Sequence, residues 1–170
     1  LSKRRTWPKM HLGIDQATGE ILAVITSERS VGDCEKLPDL LEAIGEPIAQ
    51  VSADGAYDTL GCHQAIAARH ARPAIPPPET AVVRETGEWD ARDDAVRRIE
   101  EIGLEEWKQE VGYHRRSLAE TMMFRMKTTF GDRLSRRTLG RQQTEVRLRC
   151  AALNRMTQLG MPDSYPVASI

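Results

Sequence analysis

Residues 113–127 read "YHRRSLAETMMFRMK", and their only acidic side chain, Glu120, lies among Arg115, Arg116, Arg125 and Lys127. An ordinary solvated helix mixes signs at four-residue spacing, because such ion pairs add a few tenths of a kcal/mol each. Here the basic excess is too large for that pattern. If the helix begins by Tyr113, a turn of about 100° per residue places Tyr113, Arg116, Glu120 and Lys127 within a wedge of roughly 60°. Leu118, Met122 and Met126 then face the core. A carboxylate on such a stripe suits a hard divalent cation, and a guanidinium and an ammonium suit phosphate oxygens. The plainer alternative is the polar face that any amphipathic surface helix carries.

A second carboxylate, Asp54, ends the apolar run of "PIAQVSADG". Strand carboxyl ends are where open α/β sheets place ligands, although Asp-Gly is also a common turn pair. Asp58 reads as a cap for the following helix, and Asp15, in "DQATGE", as a hairpin-turn residue. Cys62, His63 and His70 could suggest a metal, but their spacing is weak evidence, and packing or solvent-facing roles are the expectation.

The elements that must position these groups follow from periodicity. Residues 9–27 alternate as a β-hairpin around a turn containing Gly19. Residues 32–45 read as a helix with Asp33 as N-cap and Gly45 as stop, its Leu37, Leu40, Leu41 and Ile44 on one face. Residues 47–55 form a short strand and 59–70 a helix. "RPAIPPPE" is a strand ended by its prolines, and residues 80–88 form a polar loop. Helical patterns over "DARDDAVRRIEEIG" and "LEEWKQEVG", then 114–130 and 141–159, complete a β-β-α-β-α-β order followed by helices. That order predicts an α/β fold with one mixed sheet.

At 170 residues the chain is long enough for one domain with its own core. Its longest apolar run, "ILAVI", is far short of a membrane span. The basic start "LSKRRTWPKM" has no apolar stretch of the signal-peptide kind, and without an initial Met it suggests a chain that begins partway through a longer one. Cys34, Cys62 and Cys150 make no C-x-x-C pair, so neither a disulfide framework nor a zinc site is favoured, and a reduced cytoplasmic setting fits. The net charge of −1 hides a segregation: residues 28–110 carry nine basic and nineteen acidic groups, residues 111–149 ten basic and three acidic. The basic block suits a polyanion, or else pairs with the acidic middle of its own chain.

The spacing Tyr113-x2-Arg116-x3-Glu120-x6-Lys127 resembles the signature of DDE transposases of bacterial insertion sequences. "GYHRRSLAETMMFRMKTTFGDRL", "ALNRMTQLGMPDS", "WPKMHLGID" and "ADGAYDT" resemble the insertion-sequence-five group, and the likeness runs from about residue 5 to residue 164. It implies a ribonuclease H-like fold and an Asp, Asp, Glu site holding two divalent ions, Mg²⁺ or Mn²⁺. Such a site nicks DNA and joins a freed 3′ end to a target, and two-metal chemistry of this kind stabilises both attacking and leaving oxygens. By position, Asp54 matches the second aspartate and Glu120 the glutamate, both metal-binding and catalytic. Tyr113, Arg116 and Lys127 match residues that grip DNA phosphates.

The resemblance also exposes a gap. The family's first aspartate lies on a strand just upstream of a segment like "RRTWPKMHLGID", and Asp15 matches the second strand instead. The expectation is therefore the C-terminal portion of a catalytic domain over residues 1–160 with a tail at 161–170, the first strand and first carboxylate missing. Such a site should bind metal weakly and cut DNA poorly or not at all. The alternative is a non-catalytic DNA-binding remnant of a decayed or frameshifted element. In "IPPPE", Pro78 stands where relatives often carry a basic residue. The expected setting is the bacterial cytoplasm and nucleoid, with a homodimer on DNA as the candidate assembly.

Overall fold

The computed structural model describes residues 8–87 and 89–160. The basic N-terminal residues 1–7, Glu88 of the polar loop and the expected tail at 161–170 lie outside the described residues.

Strands β1 (Lys9–Ile14) and β2 (Ile21–Ser27) form the expected hairpin, antiparallel, with Lys9 opposite Ser27 and Leu12 opposite Val24. Asp15 closes it as a turn residue. Its carboxylate accepts the amides of Ala17 and Thr18 and the Thr18 hydroxyl, at 3.1, 3.2 and 2.8 Å. Gly19 follows at φ +73°, which side chains with a Cβ rarely adopt. The hairpin is covered on both sides. Met10, Leu12, Ile14 and Val24 pack with Met122, Met126, Val146, Cys150 and Leu153, while Ala23 and Ile25 pack with Leu40 and Ile44.

The first helix departs from its expected form. Residues Cys34–Lys36 make a 3-10 turn, and helix α1 runs only over Leu37–Glu42. Pro38 accounts for the late start, since a residue without an N–H fits only the first helical turn. Asp33 makes no cap bond. Its carboxylate is drawn instead to Lys9 Nζ at 3.0 Å and His11 Nδ1 at 3.2 Å, which ties this turn to β1.

Strand β3 (Gln50–Ser52) leads through a 3-10 turn at Gly55–Tyr57 into helix α2 (Leu60–Ala68), which returns to β4 (Arg72–Ala74) parallel to β3. Leu37, Leu41, Ala53, Cys62, Ile66, Ala71 and Ile75 form the core beneath this unit. Helices α3 (Asp90–Ile102) and α4 (Leu104–Glu110) meet at Gly103, φ +89°. Helix α5 (Ser117–Phe130) packs on β1, and α6 (Leu139–Gln158) packs on β2. Asn154 of α6 extends the hairpin's outer edge: its amide accepts from Ile21 N and donates to Ile21 O, both at 2.8 Å. An edge strand's free backbone groups are thereby satisfied by a side chain.

The α/β order holds, but the single mixed sheet does not. The described strands pair as two separate two-stranded sheets, β1–β2 and β3–β4. Among the described residues β1 has a ladder partner only in β2, and β3 only in β4. Helix α5 lies on β1 and the turn before it lies on β3, while α1 touches both hairpin strands and α2. Helices therefore join the two sheets where a ladder does not.

Candidate carboxylate site and nucleic-acid interface

Asp54 stands two residues past β3 in extended backbone (φ −77°, ψ 171°), and its Oδ1 accepts the amide of Ala56 at 3.0 Å. It therefore caps the Gly55–Tyr57 turn, as an Asp-Gly pair would. Its Oδ2 makes no hydrogen bond among the described residues, so half of a partly exposed carboxylate stays available. A Cβ on Gly55 would meet Pro76 O at 3.3 Å, so the "IPPP" backbone presses against this turn. Burial, then the nearby Asp33 and Asp54 charges, pushes the Tyr57 phenol up to about 12.

The α-helical wedge inferred for Tyr113, Arg116, Glu120 and Lys127 needs correction at its start. Residues Tyr113–Arg116 form a 3-10 turn, and α5 begins at Ser117. Gly112, in the left-handed region at φ +66°, separates this turn from α4. In a 3-10 turn residues three apart eclipse one another. The Arg116 guanidinium accordingly lies over the Tyr113 ring at 5.7 Å. One α-turn on, it meets Glu120 Oε1 at 3.1 Å.

Glu120 thus has a helical neighbour as its partner, contrary to the expectation that it stands apart from them. The cause is four-residue spacing that carries across the junction from the 3-10 turn into α5. The pair is open to solvent, 34% and 67% exposed, so it contributes at most about 1 kcal/mol. A stronger competitor for either group could displace it. Lys127 is exposed and makes no ion pair among the described residues. Seven residues beyond Glu120, it returns to the same helix face about 10 Å along the axis.

Strand β3 holds this segment in place. Gln50 Nε2 donates to Val111 O at 2.8 Å, and β3 lies against the Tyr113–Arg116 turn. The strand that leads to Asp54 therefore supports the turn that leads to Glu120. Among the described residues no group of three or more His, Cys, Asp or Glu side chains is placed to hold a metal ion. Asp54 and Glu120 are hard oxygen donors of the right kind for Mg²⁺ or Mn²⁺, but the donor set is short in number.

Residues 2–155 match the family model described as "Transposase DDE domain". The chain belongs to the DDE transposase family. No solved structure matches it. The family acts in DNA transposition and generally uses divalent metal ions, and no described helix of this transposase domain is long and apolar enough to cross a membrane.

The transposase domain also contains a buried polar cluster that sequence reasoning missed. Thr59, not Asp58, caps α2, its hydroxyl accepting from Cys62 N at 3.3 Å. The Asp58 side chain is buried and takes His63 Nε2 at 2.9 Å and Arg92 Nε at 3.0 and 3.1 Å on its two oxygens. Burial raises its pKa, but the hydrogen bonds from His63 and Arg92 outweigh that, and the net shift is downward. Arg92 and Arg84 lie over the Trp89 ring at 4.9 and 4.5 Å, and His63 packs against it at 5.5 Å. Beside them Asp93, also buried, accepts the amides of Arg84 and Glu85, both at 2.9 Å.

This cluster fastens the polar loop and α3 to the end of the Asp54–Asp58 turn. The available signal was a tryptophan inside the charged run "GEWDARDD", where an apolar ring needs cover. Cys62 and His63 are buried in packing and hydrogen-bonding roles. His70 is exposed at the end of α2 with φ +54°, so the three do not converge as a metal site.

Proposed function

We propose that the chain is the catalytic-domain portion of an insertion-sequence-five-like DDE transposase, with a ribonuclease H-like fold, that binds transposon-end and target DNA. Tyr113, Arg116 and Lys127 contact phosphates, and Asp54 and Glu120 are two of the three metal-binding carboxylates, for Mg²⁺ or Mn²⁺. The observation that carries this reading is the contact chain Tyr113–Arg116–Glu120, inside the matched residues and braced by β3. A phosphate arriving at Arg116 would take over its guanidinium and release Glu120 for a cation, because the existing pair is weak and solvated.

Among the described residues β1 and β3 each pair with one strand only, which supports a further part of the reading. A strand seated between them would merge the two pairs into one mixed sheet, and that strand would carry the first aspartate. Residues 1–160 are then the C-terminal portion of the catalytic domain, and 161–170 a tail. With two carboxylates the chain by itself binds DNA and is impaired in cutting it. The alternative reading is a non-catalytic DNA-binding remnant of a decayed or frameshifted element. A homodimer on DNA in a bacterial cytoplasm completes the proposal.

The test is binding of a labelled duplex, by anisotropy over a series of salt concentrations, together with nicking of supercoiled plasmid in Mg²⁺ or Mn²⁺. Affinity should fall steeply with salt. Arg116→Ala and Lys127→Ala should each lower the log–log slope by about 0.9, the value for one phosphate contact. Little or no nicking is expected. Duplex binding that ignores both substitutions sinks the phosphate assignment. Brisk nicking lost in Glu120→Gln would support the transposase reading and remove the impairment.

A further inference from the structure

The connection between α5 and α6, residues 131–138, leaves the compact part of the fold, yet its backbone is fixed. Glu145, one turn and a half into α6, accepts the amides of Ser135 and Arg136 at 2.9 and 3.0 Å. Arg149, one turn further, donates to Gly131 O at 3.3 Å and Arg133 O at 2.8 Å, and pairs with Glu145 at 2.7 Å. Gln142, 3% exposed, donates to Arg136 O at 3.1 Å. The Glu145–Arg149 pair is itself mostly covered, at 15% and 13% exposure. A loop held this way has already lost most of the conformational freedom that ligand binding would otherwise cost.

What the loop displays is charge. Arg133, Arg136, Arg137, Arg141 and Arg147 are all exposed. Among the described residues the Arg133 side chain reaches only its neighbour Asp132, at 4.0 Å with both groups about four-fifths exposed. The side chains of Arg136, Arg137, Arg141 and Arg147 have no ion-pair or hydrogen-bond partner among the described residues. A shallow hollow is lined by Ser135, Arg136, Arg141, Thr144, Glu145 and Leu148. Two guanidinium groups and the Ser135 hydroxyl there suit phosphate oxygens, while the Thr144 hydroxyl donates to Gly140 O at 3.1 Å, and the exposed Leu148 suits a sugar. The Glu145 charge in the hollow is already engaged by two amides and Arg149.

We propose that residues 131–138 and the first turns of α6 form a second phosphodiester-binding surface, distinct from Tyr113, Arg116 and Lys127, that fits the backbone of duplex DNA. It rests on the reading of the chain as a DNA-binding transposase domain. That reading is why duplex DNA, rather than an anionic lipid surface, is the named partner. The arginines position the duplex and read no sequence, since phosphate contacts carry none.

The experiment uses the full chain and a labelled duplex of unrelated sequence, with anisotropy read over a series of sodium chloride concentrations. The triple variant R136A/R137A/R141A should flatten the log–log salt slope by about 2–3, and Arg137→Ala alone by about 0.9. Glu145→Ala removes a negative charge, which by electrostatics alone would tighten binding. Weaker binding with an unchanged slope is expected instead, because the loop loses its fastening. Circular dichroism melting checks that each variant is folded.

If the wild-type chain binds no duplex, the DNA-binding reading fails and this surface fails with it. If the wild type binds and Arg116→Ala weakens it while the triple variant keeps the full slope, this inference alone is overturned. It is also overturned if the triple variant loses only binding to phosphatidylserine vesicles, and its fastening component falls if Glu145→Ala binds as well as or better than wild type.

Discussion

Replacing Arg92 with methionine keeps a long stem over Trp89 and removes the guanidinium that faces Asp58. Both side chains are 5% exposed, and the pair is made through Arg92 Nε at 3.0 and 3.1 Å on the two carboxylate oxygens. Among the described residues His63 would remain as the only side-chain donor to a buried carboxylate, and Val82 O would lose the donor now 3.2 Å away. Breaking a buried pair from one side typically costs about 3–5 kcal/mol, because the other charge stays buried. Loss of the cation–π contact at 4.9 Å adds about 0.5–1 kcal/mol. For a chain of this length each kcal/mol lowers the melting temperature by about 2–4 °C, so a combined loss of about 3.5–6 kcal/mol should lower it by roughly 7–24 °C. Thermal unfolding followed by tryptophan fluorescence measures the drop and urea unfolding the free-energy loss, with Trp89 inside the perturbed cluster. In a cycle with Asp58→Asn, the double variant should be less destabilised than the sum of the singles by more than about 1 kcal/mol. A loss below about 1 kcal/mol for Arg92→Met, or full additivity in the cycle, would refute the clamp.

Other outcomes follow from the same physical chemistry. Asn154→Ala should cost about 1–3 kcal/mol by leaving the Ile21 amide and carbonyl unpaired, and hydrogen exchange at Ile21 should accelerate. The folded-state pKa values of Asp58 and Asp93 lie below the ordinary 3.8, burial being outweighed by His63 and Arg92 for the first and by the Glu85 and Arg84 amides for the second. Their stabilising effect is therefore complete above 3.8 and lost as pH falls through the lowered values. An acid titration of urea stability should show that loss, and Asp58→Asn should shrink it. Gly19→Ala should cost about 1–2 kcal/mol at φ +73°, read as a lower unfolding midpoint. Ultraviolet titration should find one tyrosine ionising near 12, removed by Tyr57→Phe.

The hairpin, the strand that leads to Asp54, the crossover to the proline-stopped strand and the four later helices are legible because period and punctuation agree there. Lys9 to Ser27 alternates around a Gly turn, and prolines end β4 where a ladder must stop. Boundaries were less legible where two local signals compete. Pro38 overrode the Asp33 cap, and the eclipsed stacking of Tyr113 and Arg116 belongs to a 3-10 turn that a fixed 100° rotation cannot describe. The four-residue spacing of Arg116 and Glu120 is visible in the sequence, but the basic excess around them masks their direct pairing. Asp58 reads as a cap because that position is local, whereas its charged partner Arg92 is supplied by a helix far along the chain. Nothing in the run of residues announces that kind of long-range burial apart from Trp89.

The most direct test of the account is a manganese titration followed by electron paramagnetic resonance, comparing wild type with Asp54→Asn, Glu120→Gln and the double variant. If the two carboxylates serve one cation, weak binding to the wild type is lost in either single variant, and the double variant loses nothing more. Binding that survives both single substitutions, or losses that simply add, would mean that Asp54 and Glu120 do not belong to one site.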